Sequence, residues 1–155
     1  MINDEINTDW LIGLLETKGI FGLKVQMKNK KPKEYRQFNP MFTLQLREEE
    51  EKLMIKIYEY LGVGSIGMVN QKRSNEKNPN LIKICISGKH DALTFINKVP
   101  LYKFRTNKKK QYKKWIEITK IVNETTLSNM TIEQIRMLRK KQKKLSNLKA
   151  YRHNA

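Results

Sequence analysis

Apolar residues recur along the chain with two different periods, and the change between them predicts a mixture of helices and strands. Strict alternation of apolar and polar positions is typical of half-buried strands, whereas apolar residues three or four apart indicate helices. The first apolar run can be capped by Thr8 or Asp9 and ended by a left-handed Gly19, so we expect a short, largely buried helix there. The predicted elements are a helix over 10–16, strands over 21–28 and 41–47, a helix over 48–60, strands over 65–71 and 81–87, and helices over 89–98, 112–122 and 131–149.

This α-β-β-α-β-β-α-α-α order predicts one α+β domain built from two hairpins and their helices. A chain of 155 residues has the length of a single domain. We expect a core over 1–125 and a basic helical extension of the same domain over 126–155. The glycines of 62–67 match the G-x-G-x-x-G dinucleotide pattern, but they follow a predicted helix and open a predicted strand. We interpret them as a helix end and a tight turn.

The charge balance predicts a polyanionic partner. The chain has 32 Lys and Arg against 15 Asp and Glu, a net charge of +17, whereas small domains stay soluble with about 2 to 8 net charges. Such an excess attracts phosphate backbones. Its cations are spread over predicted strands, loops and tail rather than along one amphipathic helix, which disfavours a membrane surface. With Cys85 as the one cysteine and two histidines, neither a disulfide framework nor a zinc cluster can form, and we expect no resident cofactor or metal.

The segment Leu11-Ile-Gly-Leu-Leu-Glu-Thr-Lys-Gly19 resembles the LAGLIDADG box of homing endonucleases and intron maturases at its first, third, fourth and ninth positions. The strands that follow, the turn at 60–66 and the basic segment at 100–110 resemble further landmarks of that family. The resemblance implies an αββαββα saddle with additional C-terminal helices.

In that family the eighth position of the box is an acid that holds Mg²⁺ against the scissile phosphate, and here it is Lys18. An ammonium has no acceptor lone pair and repels a divalent cation, so we expect metal-assisted cleavage to be severely impaired. Glu16 is the candidate residual acid. Two residues earlier on a helix it points about 200° away from Lys18, so we expect a capping or interface role for it instead.

The box also implies a helix interface, and the resemblance implies a binding surface on the sheet and its loops. Gly13 and Thr17 lie four residues apart, where small side chains allow a second helix to approach closely, with apolar contact from Leu11, Leu14 and Leu15. The candidate nucleic-acid-binding residues are basic or polar: Lys18, Lys24, Gln26, Lys28, Lys30, Lys31, Thr43, Gln45, Arg47, Lys72, Arg73, Lys83, Lys108, Lys109, Arg139 and Lys140.

Three functions are compatible with these features. Our first hypothesis is a catalytically inactive LAGLIDADG-derived protein that binds structured RNA, either mitochondrial ribosomal RNA or group I intron RNA, in company with ribosomal proteins or a second LAGLIDADG chain. The heavy use of Lys, Asn and Ile is typical of an AT-rich organellar genome, and the start of the chain lacks the pattern of a cleavable signal, so we expect a mitochondrial location. The alternatives are a homing endonuclease subunit that cuts double-stranded DNA with Mg²⁺, and a protein-interaction module that uses the box helix.

Overall fold

The computed structural model describes residues 6–30, 33–69 and 80–124, together with helical positions 133, 136–138, 140–141 and 143–145; the side chains of 26–30 and 33–37 are not described. Its elements are α1 (Thr8–Lys18), β1 (Ile20–Lys30), β2 (Lys33–Arg47), α2 (Glu51–Leu61), β3 (Ser65–Val69), β4 (Leu81–Ser87), α3 (Lys89–Lys98) and α4 (Lys108–Glu124). Short 3-10 turns precede α2 and follow α3. The order confirms the predicted αββαββα unit with a further helix. None of the described helices has the length and apolar character needed to cross a bilayer.

The four strands form one antiparallel sheet in the order β1-β2-β4-β3. Directly opposed residues of antiparallel strands lie on the same face, so the register sorts all side chains into two sets. One set is apolar and includes Phe21, opposite Phe42, which in turn lies opposite Ile86. All three of these side chains are fully buried, because the helices cover this side of the sheet. We call it the covered face.

An aromatic cluster attaches α4 to the covered face. The Tyr112 ring stacks on Phe21 with centroids 4.7 Å apart, and Trp115 Nε1 donates a hydrogen bond to the Gly22 carbonyl at 2.9 Å. Both α4 side chains are completely buried. Leu138 and Leu145 of the C-terminal extension are buried in the same core, and Lys141 contacts Glu117 of α4 at 3.2 Å. The extension therefore packs on α4 at these positions.

The two ends of α1 differ from the prediction. Asn7 caps the helix by accepting a hydrogen bond from the Trp10 amide, one residue before Thr8 and two before Asp9. Gly19 is extended, with φ −71° and ψ 144°, rather than left-handed. A Cβ on Gly19 would lie 2.6 Å from the Leu15 carbonyl oxygen and 2.8 Å from the Phe42 ring. Close packing of the helix end on the sheet, and not a positive φ, therefore requires glycine here.

Other predicted boundaries also change. The second strand begins at Lys33 rather than 41, because β2 pairs with β1 along the whole length of the hairpin, although its first half does not alternate clearly. The last helix of the core begins at Lys108 rather than 112, with Thr106 Oγ1 accepting the Lys108 amide. Strand β3 is described from Ser65 to Val69, and the predicted strand positions 70 and 71 lie outside the described residues. Within the predicted helix over 131–149, the described positions 133, 136–138, 140–141 and 143–145 are helical, and the other positions lie outside the described residues.

The glycine-rich segment behaves as predicted. Gly62 ends α2 in the left-handed conformation, with φ +71°. Gly64 has φ +92°, and a Cβ there would lie 2.6 Å from the Cys85 carbonyl oxygen. The segment is a helix end followed by a tight turn into β3.

Candidate nucleic-acid interface

The second face of the sheet is not covered by any described helix, and we call it the open face. The register places Thr43 of β2 opposite Ile20 and Cys85, and Gln45 opposite Lys83 of β4. Thr43, Gln45 and Arg47 alternate along β2, and Lys24 occupies the same face of β1 through its pairing with Asn39. Lys24, Gln45 and Arg47 are exposed, while Thr43 and Lys83 are half-buried. The predicted assignment of these five side chains to one face is therefore what the structure has.

The open face carries positive charge without negative charge. Its described cations are Lys24, Arg47 and Lys83, and no carboxylate belongs to it among residues 20–25, 38–47, 65–69 and 81–87. The acids whose side chains are described instead lie on the helices or at their ends: Asp9, Glu16, Glu48, Glu49, Glu50, Glu51, Glu59, Asp91, Glu117, Glu124 and Glu133. Segregation of this kind directs a positive potential outward from the sheet.

The spacing of the open-face side chains suits an extended polyanion. Alternate residues of a strand are about 7 Å apart and neighbouring strands about 4.8 Å apart. Thr43, Gln45 and Arg47 thus form a row that spans about 13 Å along β2. Hydroxyl, amide and guanidinium groups can donate hydrogen bonds to base edges or phosphates.

Lys18 lies at the junction of α1 with the sheet. It is exposed in the last turn of α1, where a cation complements the negative end of the helix dipole. Two residues later, Ile20 already belongs to the open face. Lys18 therefore stands next to the start of β1, where a phosphate on the open face could reach it.

The residues at this junction do not fit a divalent cation. Lys18 offers no oxygen, and Glu16 Oε1 accepts hydrogen bonds from the amides of Arg105 and Thr106, the latter at 2.8 Å, and from Thr106 Oγ1 at 3.1 Å. Glu16 thus caps the segment that leads into α4. Among the described residues, no three His, Cys, Asp or Glu side chains lie close enough together to hold a metal ion.

Lys108 is not a surface residue, contrary to the prediction. Its side chain is only 6% exposed, and Nζ donates to the Gly19 carbonyl at 2.7 Å. Because α4 begins four residues earlier than predicted, Lys108 lies in its first turn. The Lys108 side chain points inward, toward the α1–β1 junction. Lys109 is exposed on α4 and Lys140 on the extension. Since α4 packs on the covered face, Lys109 does not belong to the open face.

Several predicted residues cannot be placed with their side chains. Gln26, Lys28 and Lys30 belong to β1, but their side chains lie outside the described part of the structure. Lys31, Lys72, Arg73 and Arg139 fall outside the described residues altogether. Sequence reasoning passed over Arg105, an exposed residue whose amide is held by Glu16. Its position in the basic segment before α4 was the available signal.

The exposed side of α1 differs in composition from the predicted interface. Gly13 and Thr17 are exposed and Leu14 is half-buried, whereas Leu11 and Leu15 are fully buried within this chain and cannot contact a second helix. Trp10 is instead a large apolar side chain of α1 that a second helix could contact, with 48% of its surface exposed. A Cβ on Gly13 would meet no atom within 4 Å, so the surface there is open.

These features define a mixed α and β unit with helices on one face of a sheet and a basic, uncovered opposite face. The family model described as LAGLIDADG endonuclease matches residues 11–119. The chain belongs to that family.

Solved structures share this fold at low sequence identity. The homing endonuclease I-TnaI has a TM-score of 0.71 at 14% identity, over 95% of this chain and 98% of that one. The archaeal intron-encoded homing endonuclease I-Vdi141I, complexed with DNA, has a TM-score of 0.69 at 18% identity, over 91% of this chain and 82% of that one. The meganuclease I-CpaMI, bound to uncleaved DNA, has a TM-score of 0.64 at 21% identity over 77% of this chain, which spans only 39% of the I-CpaMI chain. No curated protein matches the sequence.

Proposed function

We propose that this protein binds a nucleic-acid duplex across the open face of its sheet and does not itself cleave the duplex. The observation that supports this most directly is the combination of exposed cations and uncharged polar side chains on that face, without a carboxylate among its described residues. Two of the solved structures that share the fold are bound to DNA.

The open face supplies two kinds of contact. Lys24 and Lys83 are suited to phosphates, because an ammonium acts as a compact point charge. Thr43, Gln45 and Arg47 project from one strand and can donate to base edges in a groove. The major groove of B-DNA is about 12 Å wide and admits a two-stranded ribbon. The β1–β2 hairpin is a ribbon of this kind.

The proposed loss of cleavage depends on the side chains at the C-terminal end of α1. Lys18 replaces the acid that the family uses, and Glu16 is engaged by the amides of Arg105 and Thr106. Neither side chain offers a free carboxylate for a cation. Lys18 instead contributes a positive charge beside the open face, which favours retention of the duplex over its hydrolysis.

DNA and RNA share the phosphate chemistry of this proposal, but their grooves differ. The deep, narrow major groove of duplex RNA excludes side chains that the DNA groove admits, so the hairpin favours DNA. The structured RNA of a mitochondrial ribosome or a group I intron stays a prediction from the sequence. Competition of an unlabelled structured RNA against a labelled DNA duplex decides between the two partners.

The test is the salt dependence of duplex binding, followed by fluorescence anisotropy. For Lys24→Gln combined with Lys83→Gln, we expect weaker binding and a loss of about 2 in the slope of log affinity against log salt. The control is Lys52→Gln combined with Lys56→Gln on α2, which removes equal charge from a helix on the covered side and should leave the slope unchanged. Equal losses in both variants, or salt-insensitive binding, would refute the assignment to the open face and favour a protein-interaction module.

A second candidate function is that of an endonuclease subunit whose partner supplies an acid. The exposed surface of Trp10, Gly13 and Thr17 on α1 favours it, since a second helix could approach there. Incubation of the protein with supercoiled plasmid and Mg²⁺ or Mn²⁺ tests this function. Site-specific nicking that disappears in Glu16→Gln would replace our proposal.

A further inference from the structure

A second basic surface lies on α4, on the opposite side of the molecule from the open face. The buried side of α4 contacts the covered face through Tyr112 and Trp115, so its exposed side points away from the sheet. Three exposed lysines share that outer side, at positions i, i+4 and i+11: Lys109, Lys113 and Lys120. At 3.6 residues per turn they fall within an arc of about 40°. We call them the α4 stripe.

The first two lysines of the α4 stripe carry charge that their own helix does not neutralise. Lys109 and Lys113 are like charges at i, i+4, which repel each other. The first turn contains no acid, although the positive end of the helix dipole disfavours cations there. Among the described residues, no carboxylate forms an ion pair with any member of the stripe. An anionic partner would relieve this repulsion.

The acid nearest to the stripe along α4 is already neutralised. Glu117 lies 3.2 Å from Lys141 and 3.5 Å from Lys114. Partial burial alone would raise the pKa of Glu117, but the hydrogen bond from Lys141 and the charge of Lys114 hold that pKa below its ordinary value. Glu117 thus joins the extension to α4 and does not pair with the stripe. Glu124, which is also exposed on α4, follows Lys120 by four residues, so the part of the stripe without a nearby acid is the pair Lys109 and Lys113. The exposed side of α2 carries two acids, Glu51 and Glu59, alongside its lysines.

The composition of α4 indicates which part of a nucleic acid it would contact. Its two aromatic side chains, Tyr112 and Trp115, are fully buried, so no aromatic ring of α4 is available to stack on unpaired bases. The stripe offers ammonium groups spaced about 6 Å and about 10 Å apart along the helix axis. This arrangement suits the backbone of a duplex, bound through its phosphates without sequence preference.

We propose that the α4 stripe binds the phosphate backbone of a second nucleic-acid duplex, so that one chain holds two duplex segments on opposite sides. This inference rests on the proposed function, in which the first duplex occupies the open face. A helix with its side chains is about 10 Å across, and this layer separates the two surfaces. A straight duplex on the open face therefore cannot also reach the stripe.

The experiment is a two-duplex capture. One mixed-sequence DNA duplex is immobilised, the protein is added, and a second duplex with a fluorescent label is then supplied. We expect the wild-type chain to retain the labelled duplex. Lys109→Gln combined with Lys113→Gln should reduce that retention by about tenfold while leaving affinity for a single duplex within about threefold of wild type. The control is Lys52→Gln combined with Lys56→Gln, which also removes two lysines at i, i+4 and should capture as well as wild type. Equal thermal midpoints verify that all variants are folded.

The outcomes separate this inference from the proposed function. Undiminished capture by the stripe variant would overturn the inference, because the second duplex would then be held elsewhere, for instance by a second copy of the chain. Single-duplex binding without any capture by the wild type would also overturn it and leave the proposed function intact. A third outcome is that the double variant Lys24→Gln and Lys83→Gln binds a single duplex as tightly as wild type, whereas the stripe variant does not bind it. The proposed function would then fail, and binding at the stripe would stand.

Discussion

Replacement of Glu16 distinguishes a structural carboxylate from a catalytic one. In the structure, Glu16 Oε1 accepts hydrogen bonds from two amides, of Arg105 and Thr106, and from the Thr106 hydroxyl. It thereby attaches the last turn of α1 to the segment that starts α4. A Glu16→Ala variant removes the acceptor from all three donors at once.

The size of the effect follows from the exposure of the site. A hydrogen bond contributes about 0.5–1.5 kcal/mol to stability, and Glu16 is half-buried, so water can satisfy part of what is lost. We expect about 1 kcal/mol, which lowers the thermal midpoint by about 2–4 °C for a chain of this length. Glu16→Gln keeps the acceptor oxygen and should cost less than about 0.5 kcal/mol.

The assay compares urea unfolding, followed by circular dichroism, with duplex affinity for both variants and for Glu59→Ala. Glu59 is exposed on α2, so the control should change stability by less than about 0.5 kcal/mol. Affinity should stay near wild type in all three. A Glu16→Ala variant as stable as Glu59→Ala would refute the capping role. A Glu16→Gln variant that keeps its stability but loses a metal-dependent nicking activity of the wild type would refute the account of cleavage.

Three further changes test the packing. Gly13→Ala should raise the free energy of unfolding by about 0.5–1 kcal/mol, because alanine favours a helix interior and the space around Gly13 is open. Gly19→Ala should lower the free energy of unfolding by about 1–3 kcal/mol, because its Cβ would clash with the Leu15 carbonyl. Urea unfolding of both variants checks these values, and equal effects would contradict the structure. Burial raises the pKa of Tyr112, so its neutral form stabilises the fold below the unfolded pKa of about 10 and that stability is lost as pH rises further. The Tyr112→Phe variant should therefore lose less stability than wild type above about pH 10, as measured by alkaline unfolding. The control is Tyr102→Phe, which alters a side chain that is 77% exposed and should lose stability with pH as the wild type does.

The sheet was the most predictable part of the molecule, because its pattern depends on local alternation. Ile82, Ile84 and Ile86 are all buried, with Lys83 between them on the open face, as the period of two required. The same reasoning assigned Thr43 correctly. Alternation does not show which strands pair with each other. The first half of β2 was missed for this reason, because it is recognised as a strand only through its pairing with β1.

The C-terminal end of α1 was the least predictable part of the molecule, because its contacts join residues that are distant in the sequence. Lys108 donates to Gly19 across 89 positions, and Glu16 reaches Thr106 across 90. No local pattern indicates that Lys108, in a run of three lysines, turns inward while Lys109 stays exposed. The family resemblance identified Lys18 as the unusual residue, but only the three-dimensional contacts show that Glu16 is occupied as a cap.

Composition predicts a polyanionic partner, but it does not show how the charge is distributed. A net charge of +17 indicates affinity for polyanions. Whether the cations form one surface or two depends on which side of α4 packs against the sheet, and burial of Trp115 decides this. Both the open face and the α4 stripe therefore carry exposed basic residues.

The most direct test of the central claim uses Cys85, the only cysteine in the chain. It lies on the open face between Thr43 and Ser65 in the register of the sheet. The rate at which a thiol reagent modifies Cys85 can be measured with and without a saturating DNA duplex, with binding verified by anisotropy in the same samples. If the duplex occupies the open face, modification should slow by about tenfold or more and recover at high salt, as phosphate contacts are lost. An unchanged rate in the bound state would show that the duplex lies elsewhere and would contradict the account.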